Sequence, residues 1–282
     1  MKNLLIIALA LSSTFLSCTG SRTALELKVA TYNLRMDTPS DSANAWPYRK
    51  EAVKALIQYH DFDIVGTQEG FLHQLQGVCE LQAYTYSGSG RDDGKEAGEH
   101  SAILYKKDKF TMLDSGDFWL RETPDTPGLG WDATCCNRIC SWVKFKELKS
   151  GAEFYFFNVH FDHQGVVARK ESGKLMIRKI KEIAQDAPVI LTGDFNSTPE
   201  TEQIQALSAF LHDARSISAQ QPYGPEGTFN RRFSHPIGKN RIDYIFVSDA
   251  FRVKQYAVLT DYREFPYFPS DHQPVSITLF KP

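Results

Sequence analysis

Residues 188–196 read Pro-Val-Ile-Leu-Thr-Gly-Asp-Phe-Asn, a short apolar run followed directly by polar side chains. The length of the run and its β-branched residues predict a buried strand. Asp194 and Asn196 are two residues apart, so an extended backbone would place them on the same face. A carboxylate and a carboxamide on one face could form part of a metal-assisted site, or simply a turn closed by Asx hydrogen bonds.

A second polar group precedes an apolar run near the C-terminus, where residues 270–275 read Ser-Asp-His-Gln-Pro-Val. Asp271 and His272 form an acid–histidine pair at the predicted start of a strand. Two such groups at strand edges in one chain favour catalysis over turn formation.

Composition limits the classes of function that fit the chain. With 282 residues, 42% hydrophobic and 23% charged, it has the make-up of an ordinary globular protein with a sizeable core. The formal net charge of −2 argues against a strongly basic protein that wraps nucleic acid. An enzyme of phosphate esters remains compatible with this charge, because a bound divalent cation can supply positive charge locally.

The first 25 residues are predicted to be an export signal and tether, and residues 26–282 a single domain. Lys2 is followed by an apolar stretch from Leu4 to Leu11, which is too short to span a bilayer as a mature helix. Ser17-Cys18 resembles a bacterial lipoprotein box. We therefore expect export to the cell envelope as a lipoprotein, with periplasmic or secreted protein as the alternative and membrane contact only through the lipid.

The four remaining cysteines are Cys79, Cys135, Cys136 and Cys140. They are too few for a disulfide framework in a domain of this size, and their spacing is not that of a zinc site. Burial as small hydrophobic residues, or one disulfide, is the expectation.

Several predicted strands follow one another without an intervening helix, which indicates mixed or antiparallel sheets. Two packed sheets with helices outside would bury this much apolar strand. The predicted strands are 27–34, 63–68, 101–105, 110–119, 139–145, 153–161, 188–194, 242–247, 253–259 and 274–279. The predicted helices are 47–60, 166–185 and one from Thr198 to about Leu211.

Taken together, these motifs resemble the endonuclease/exonuclease/phosphatase superfamily, from Thr31-Tyr32-Asn33 through to Asp271-His272. The resemblance implies an α+β fold, a four-layer α/β/β/α sandwich of two packed mixed sheets with helices outside. It also implies a divalent-metal-dependent hydrolase. Asn33, Glu69 and Asp271 are the implied metal ligands, and oxygen ligands favour Mg²⁺ or Mn²⁺ over zinc.

The resemblance also implies a catalytic set. His272 would activate water or hold the phosphate as a cation, oriented by Asp243, and His160 would assist. Glu99 would pair with His160 and raise its pKa. Asp194 and Asn196 would position the water and one phosphate oxygen.

Substrate contacts are predicted at Arg138, Arg241 and Tyr105. The two arginines belong to segments in which basic and aromatic residues alternate, a pattern that solvated loops also show. Tyr105 resembles a tyrosine that some family members place near the phosphate, although a core aromatic residue explains it equally well.

The resulting prediction is a monomeric metal-dependent phosphoesterase, specifically a phosphodiesterase, acting on a phosphate-ester substrate. An extracytoplasmic nuclease is the first alternative, since such loops could bind single strands of nucleic acid. An inactive surface binding protein of the same fold is the second. That alternative predicts gaps in the acid, histidine and metal-ligand set, and the sequence shows none.

Overall fold

A computed structural model describes residues 24–282 of the chain. The predicted export signal and Cys18 therefore lie outside the described residues. Within residues 24–282, none of the helices combines the length and the apolar character that crossing a membrane requires.

The first sheet contains six strands, and its two central strands are parallel. Strand β1 (Leu25–Asn33) pairs in parallel with β2 (Ile64–Gln68), so that Asn33 lies beside Gln68. The other pairings are antiparallel. The remaining strands are β3 (Tyr84–Ser87), β4 (Ile103–Lys106), β11 (Arg252–Val258) and β12 (Val275–Lys281), and the order is β11-β12-β1-β2-β4-β3.

The second sheet also has six strands and one parallel pair. Strand β7 (Glu153–His160) runs parallel to β8 (Val189–Asp194), which places His160 beside Asp194. The other pairings are antiparallel, and Asp243 faces Asp194 across the pair of β10 and β8. The remaining strands are β5 (Phe110–Trp119), β6 (Ile139–Glu147), β9 (His212–Asp213) and β10 (Asp243–Val247), and the order is β5-β6-β7-β8-β10-β9.

Three hydrophobic clusters define four layers. One cluster fills the space between the sheets and includes Val29, Ile64, Phe156 and Ile190. A second packs helices α1 (Trp46–His60) and α2 (Leu72–Cys79) against the outer face of the first sheet. The third packs α3 (Val166–Ala184) and α4 (Glu202–Phe210) against the second sheet. The α+β fold of two mixed sheets is confirmed.

The predicted elements recur with shifted ends, and several short ones were missed. Helix α2, strands β3 and β9 and a 3₁₀ segment at Pro39–Asn44 had no prediction. Helix α4 begins at Glu202 rather than at Thr198, because a turn in which the Thr201 N–H and hydroxyl donate to the Thr198 carbonyl precedes it. Short elements carry too few residues for periodicity to identify them.

Buried polar side chains join the two sheets. They lie close to the end of the sandwich at which His160 and Asp194 are found. Asn158 donates to the carbonyls of Thr67 and Ala102 in the first sheet, and its Oδ1 accepts from Gln68 (2.8 Å) and Thr192 (2.9 Å). Gly66 makes this approach feasible, since a Cβ there would lie 2.1 Å from the Thr192 hydroxyl. Asn158 therefore fixes one sheet against the other.

Candidate active site

The ends of four central strands meet at one end of the sandwich. From the first sheet come Asn33, at the end of β1, and Glu69, directly after β2. From the second come His160 and Asp194, the last residues of β7 and β8. Because the remaining neighbours are antiparallel, the starts of β10 and β12 lie at the same end and add three more residues, which are Asp243, Asp271 and His272.

These strand ends surround a cavity of about 260 Å³. Most of the predicted catalytic and metal-binding residues line it, namely Glu69, Glu99, His160, Asp194, Asn196, Asp271 and His272, together with Arg138. Asn33 and Asp243 lie behind this wall and contact it through hydrogen bonds.

Asn33 links the two sheets at the cavity floor. Its Nδ2 donates to Glu69 Oε1 and to Asp194 Oδ2, both at 3.0 Å, while its Oδ1 accepts from the Arg35 backbone N–H. The amide nitrogen, not the oxygen, thus faces the two carboxylates. Asn33 could become the predicted metal ligand only after its amide rotates.

Glu69 is held firmly in a charged form. It has a left-handed φ of 63°, and its second oxygen accepts from the Met36 N–H at 3.0 Å. Burial opposes ionisation, but the positive charge of His272 and the hydrogen bonds from Asn33 and Met36 prevail and lower the pKa of Glu69.

Asp194 Oδ2 is the point where the polar groups converge. Besides the contact with Asn33, it lies 3.5 Å from His160 Nε2 and 3.7 Å from His272 Nε2. Burial and the adjacent carboxylate of Asp243 raise the pKa of Asp194 to about 7. The Asn196 backbone N–H donates to the other oxygen at 2.9 Å.

His272 and Asp243 form the predicted acid–histidine pair. Nδ1 of His272 lies 2.9 Å from Asp243 Oδ2, which also accepts from the hydroxyl of Thr228. Although burial acts against the charged ring, Asp243 and Asp194 raise the pKa of His272 well above its usual value. The ring is therefore suited to carry a positive charge within the cavity.

His160 has a different partner from the one predicted. Arg138 Nη1 donates to its Nδ1 at 3.0 Å, whereas Glu99 lies 3.9 Å away and pairs with Arg91 at 2.6 Å. Burial, followed by the charge of Arg138, lowers the pKa of His160 well below its usual value, so the predicted rise does not occur. With Nδ1 accepting, the neutral ring carries its proton on Nε2, which lies 3.2 Å from Asn196 Nδ2 and 3.5 Å from Asp194 Oδ2.

Arg138 also holds His163, which has no predicted role. Its Nη2 donates to His163 Nδ1 at 2.8 Å, and burial together with Arg138 lowers the pKa of that histidine. One guanidinium thus orients two imidazoles whose Nε2 atoms carry the protons. The alternation of side chains along a strand gives no signal for this, because His163 lies beyond the end of β7 at His160.

Asp271 has spare capacity for a ligand. Its Oδ1 is buried and has no hydrogen-bond partner among the described residues, and burial raises the pKa of Asp271 to about 6. The Ser270 hydroxyl donates to the Asn33 carbonyl at 2.7 Å and ties this segment to the end of β1. Asn196 Nδ2 donates to the Phe161 carbonyl at 3.0 Å, which fixes its side chain beside His160.

Two of the predicted substrate contacts lie elsewhere. Tyr105 is part of the core between the sheets, with its ring centre 4.8 Å from that of Phe145. Arg241 donates to Asp213 at 2.7 Å and stacks on Tyr244. Both side chains are committed to packing and do not line the cavity, so the structure favours the core interpretation of Tyr105.

Arg35, Phe229 and Cys136 line the cavity without having been predicted as site residues. Arg35 makes a two-pronged ion pair with Asp41 (2.9 and 3.0 Å), and Phe229 packs on the His272 ring at 4.7 Å. Cys135 and Cys136 are joined by a disulfide, while Cys79 and Cys140 are free thiols. No pattern in the sequence distinguishes these residues from ordinary loop residues.

The sequence profile of the Endonuclease/Exonuclease/phosphatase family matches residues 30–272, so the chain belongs to this family. A family protein from Bacteroides thetaiotaomicron is 47% identical, with a TM-score of 0.88 over 92% of this chain and 99% of that one.

A mannosyl-6-phosphatase from the same organism is 48% identical, with a TM-score of 0.85 over 90% of this chain and 99% of that one. An uncharacterised protein of Acanthamoeba polyphaga mimivirus is 24% identical, over 85% of this chain and 94% of its own length.

Proposed function

We propose that the chain is a divalent-metal-dependent phosphoesterase that removes phosphate from a sugar. The observation that carries the proposal is the convergence of three carboxylates, Glu69, Asp194 and Asp271, with His160 and His272 in one small cavity. The chain belongs to a family of phosphate-ester hydrolases, which supports hydrolysis of a phosphate ester. The complete set of acids and histidines argues against an inactive binding protein.

The residues present fit a hard divalent cation. Ligand atoms of Glu69, Asp194 and His272 lie within 4.8 Å of one another, and Asp271 Oδ1 lacks a partner. Glu69 and Asp271 would hold Mg²⁺ or Mn²⁺, with Asn33 joining after rotation of its amide. The ion would neutralise phosphate charge and stabilise the charge that develops on the phosphoryl oxygens.

The protein groups divide the remaining tasks. Charged His272, oriented by Asp243, would donate from Nε2 to a phosphate oxygen, which favours its role as a cation over water deprotonation. Neutral His160 would donate from Nε2 on the other side of Asp194. Asp194 lies between these donors and is placed to accept a hydrogen bond from the attacking water, with Asn196 beside it.

The proposed substrate is a hexose 6-phosphate, free or at the end of a glycan. The 48% identical mannosyl-6-phosphatase, aligned over 99% of its length, supports a phosphomonoester. The cavity volume of about 260 Å³ falls below the roughly 300–1,000 Å³ common for ligand sites, which suits one small ester group. We therefore propose a phosphomonoester as the substrate, in place of the phosphodiester predicted from the sequence.

The test is phosphate release from mannose 6-phosphate by purified residues 26–282. We expect turnover that vanishes with excess chelator and returns with Mg²⁺ or Mn²⁺, and Glu69→Gln should lower it about 100-fold or more. Bis-p-nitrophenyl phosphate and single-stranded DNA should be poorer substrates. Full turnover in excess chelator would refute metal dependence, and DNA cleavage without sugar-phosphate turnover would refute the substrate class.

A further inference from the structure

A second and larger concavity is built from segments that are linked to the wall of the catalytic cavity. It has a volume of about 780 Å³, and its walls come from the 3₁₀ segment with the start of α1 on one side and residues 263–267 on the other. Asn44, Tyr48, Arg263, Glu264 and Tyr267 line it. We call it the aromatic groove.

Covalent and polar links connect the aromatic groove to the wall of the catalytic cavity. Arg35 lines the catalytic cavity and grips Asp41, which directly precedes groove residue Ser42. On the opposite wall, Tyr267 is only four residues before Asp271, a span of at most about 14 Å in extended chain. A ligand whose phosphate occupies the catalytic cavity could therefore reach the groove.

The groove presents aromatic rings to solvent. Tyr48 is 72% exposed and Tyr267 is 41% exposed, while nearby Phe265 is 75% exposed. Arg263 lies over one face of Tyr267 and Tyr262 packs against Phe265, yet the three rings keep these exposed fractions. Grouped exposed aromatic residues commonly mark a binding surface. Aromatic faces suit ligands that have an apolar face of their own.

Charge in the groove argues against a polyanion. Arg263 donates to Asn44 Oδ1 at 2.7 Å and to the carbonyls of Ala43 and Tyr48 at 3.2 and 3.4 Å, and it stacks over Tyr267. Its charge is thus committed to holding the walls together. Glu264 adds an exposed carboxylate that would repel further phosphates.

We propose that the aromatic groove is a subsite for the neutral carbohydrate that carries the scissile phosphate. Sugar rings would stack on Tyr48 and Tyr267, while Asn44 and Glu264 would accept hydrogen bonds from hydroxyl groups. The inference rests on the proposed sugar phosphatase activity and extends it from a free hexose phosphate to a phosphorylated oligosaccharide. A polynucleotide, whose bases could also stack, would need a free cation that the groove does not offer.

The variants that test it are Tyr48→Ala and Tyr267→Ala, with Tyr59→Ala as the matched control. Tyr59 is 83% exposed on the same helix as Tyr48 but lies outside the groove. All three side chains are exposed, so equal unfolding temperatures should verify that the variants fold. Steady-state rates are measured on mannose 6-phosphate and on a manno-oligosaccharide bearing one terminal 6-phosphate.

We expect the groove variants to lower kcat/KM for the phosphorylated oligosaccharide about tenfold, mainly through KM, and to leave mannose 6-phosphate unchanged. Tyr59→Ala should match the wild type on both. Equal losses on both substrates would overturn the subsite, as would an unchanged oligosaccharide rate.

A binding measurement separates this inference from the proposed activity. The unphosphorylated manno-oligosaccharide is titrated calorimetrically into wild type and variants, which requires no catalysis. Binding by the wild type that is lost in Tyr48→Ala and Tyr267→Ala supports the groove even if no sugar phosphate is hydrolysed. The proposal is overturned if the wild type does not bind the oligosaccharide. It is also overturned if the wild type instead binds a single-stranded oligonucleotide and the two groove variants lose that binding.

Discussion

At the residue scale, Asp194 Oδ2 is the centre of the site because three nitrogen atoms approach it from both sheets. Asn33 reaches it from β1, His160 from β7 and His272 from the segment before β12. The two histidines beside Asp194 differ in charge because their neighbours differ. His272 faces Asp243, whereas His160 faces the guanidinium of Arg138.

His272 and Asp243 should act as one unit. His272→Ala should reduce kcat about 100- to 1,000-fold, since a preorganised donor is lost, and Asp243→Asn should cost less. The double variant should be little slower than His272→Ala alone, because Asp243 acts through the His272 ring and has no ring to orient once that ring is removed. Steady-state kinetics of the three variants check this, and strictly additive losses would show that Asp243 acts independently.

Arg138 and Arg241 should respond differently to the same substitution. Arg138→Lys loses the two-pronged contact with His160 and His163, so kcat/KM should fall about 10- to 100-fold. Arg241→Lys serves as the control, since Arg241 pairs with Asp213 away from the cavity and should leave kcat/KM unchanged. The measurement is kcat/KM of both variants on mannose 6-phosphate. A large loss for Arg241→Lys would support the predicted role of Arg241 as a substrate contact.

At the element scale, the sequence predicted well what periodicity and strand ends encode. Runs that end in Asn33, Glu69 and Asp194 mark strands whose exits can meet, and the structure brings them together. Partner choice at the site escaped prediction. Whether Glu99 or Arg138 reaches His160 depends on loop paths and on competition from Arg91, which no local pattern records.

The polar layer between the sheets gives a prediction about stability. Gly66→Ala would force a Cβ to within 2.4 Å of Asn158 Oδ1 and closer still to Thr192, so the sheets would have to separate. We expect a loss of about 1–3 kcal/mol in the free energy of unfolding, measured by denaturant titration. Gly77→Ala is the control, because the atoms nearest to its Cβ would belong to the flexible Lys50 side chain and alanine favours the helix.

An unchanged midpoint in Gly66→Ala would show that the sheets can adjust to the extra methyl group. In that case Asn158 would not be the element that fixes their separation. A loss in Gly66→Ala accompanied by a comparable loss in Gly77→Ala would indicate a general sensitivity to added methyl groups rather than a specific clash.

At the scale of the whole molecule, charge and shape bear on the substrate. The net charge of −2 gives no long-range attraction for polyanions. The cations that line the catalytic cavity, Arg35 and Arg138, are engaged with Asp41 and with two histidines. The described residues that line the cavity therefore have local means to bind one phosphate, and both of these arginines already have partners.

Salt dependence provides the corresponding test. For a single-phosphate substrate, kcat/KM should fall less than about fourfold between 50 and 200 mM salt, since at most one phosphate charge is matched. A nuclease that engaged six to ten phosphates of a single strand would lose roughly 300- to 15,000-fold over the same range. Rates on mannose 6-phosphate and on single-stranded DNA, measured side by side at both salt concentrations, distinguish the two. Efficient DNA cleavage with the steep dependence would mean that basic side chains of the loop before Arg241, among them Arg231 and Arg232, bind the strand despite the net charge.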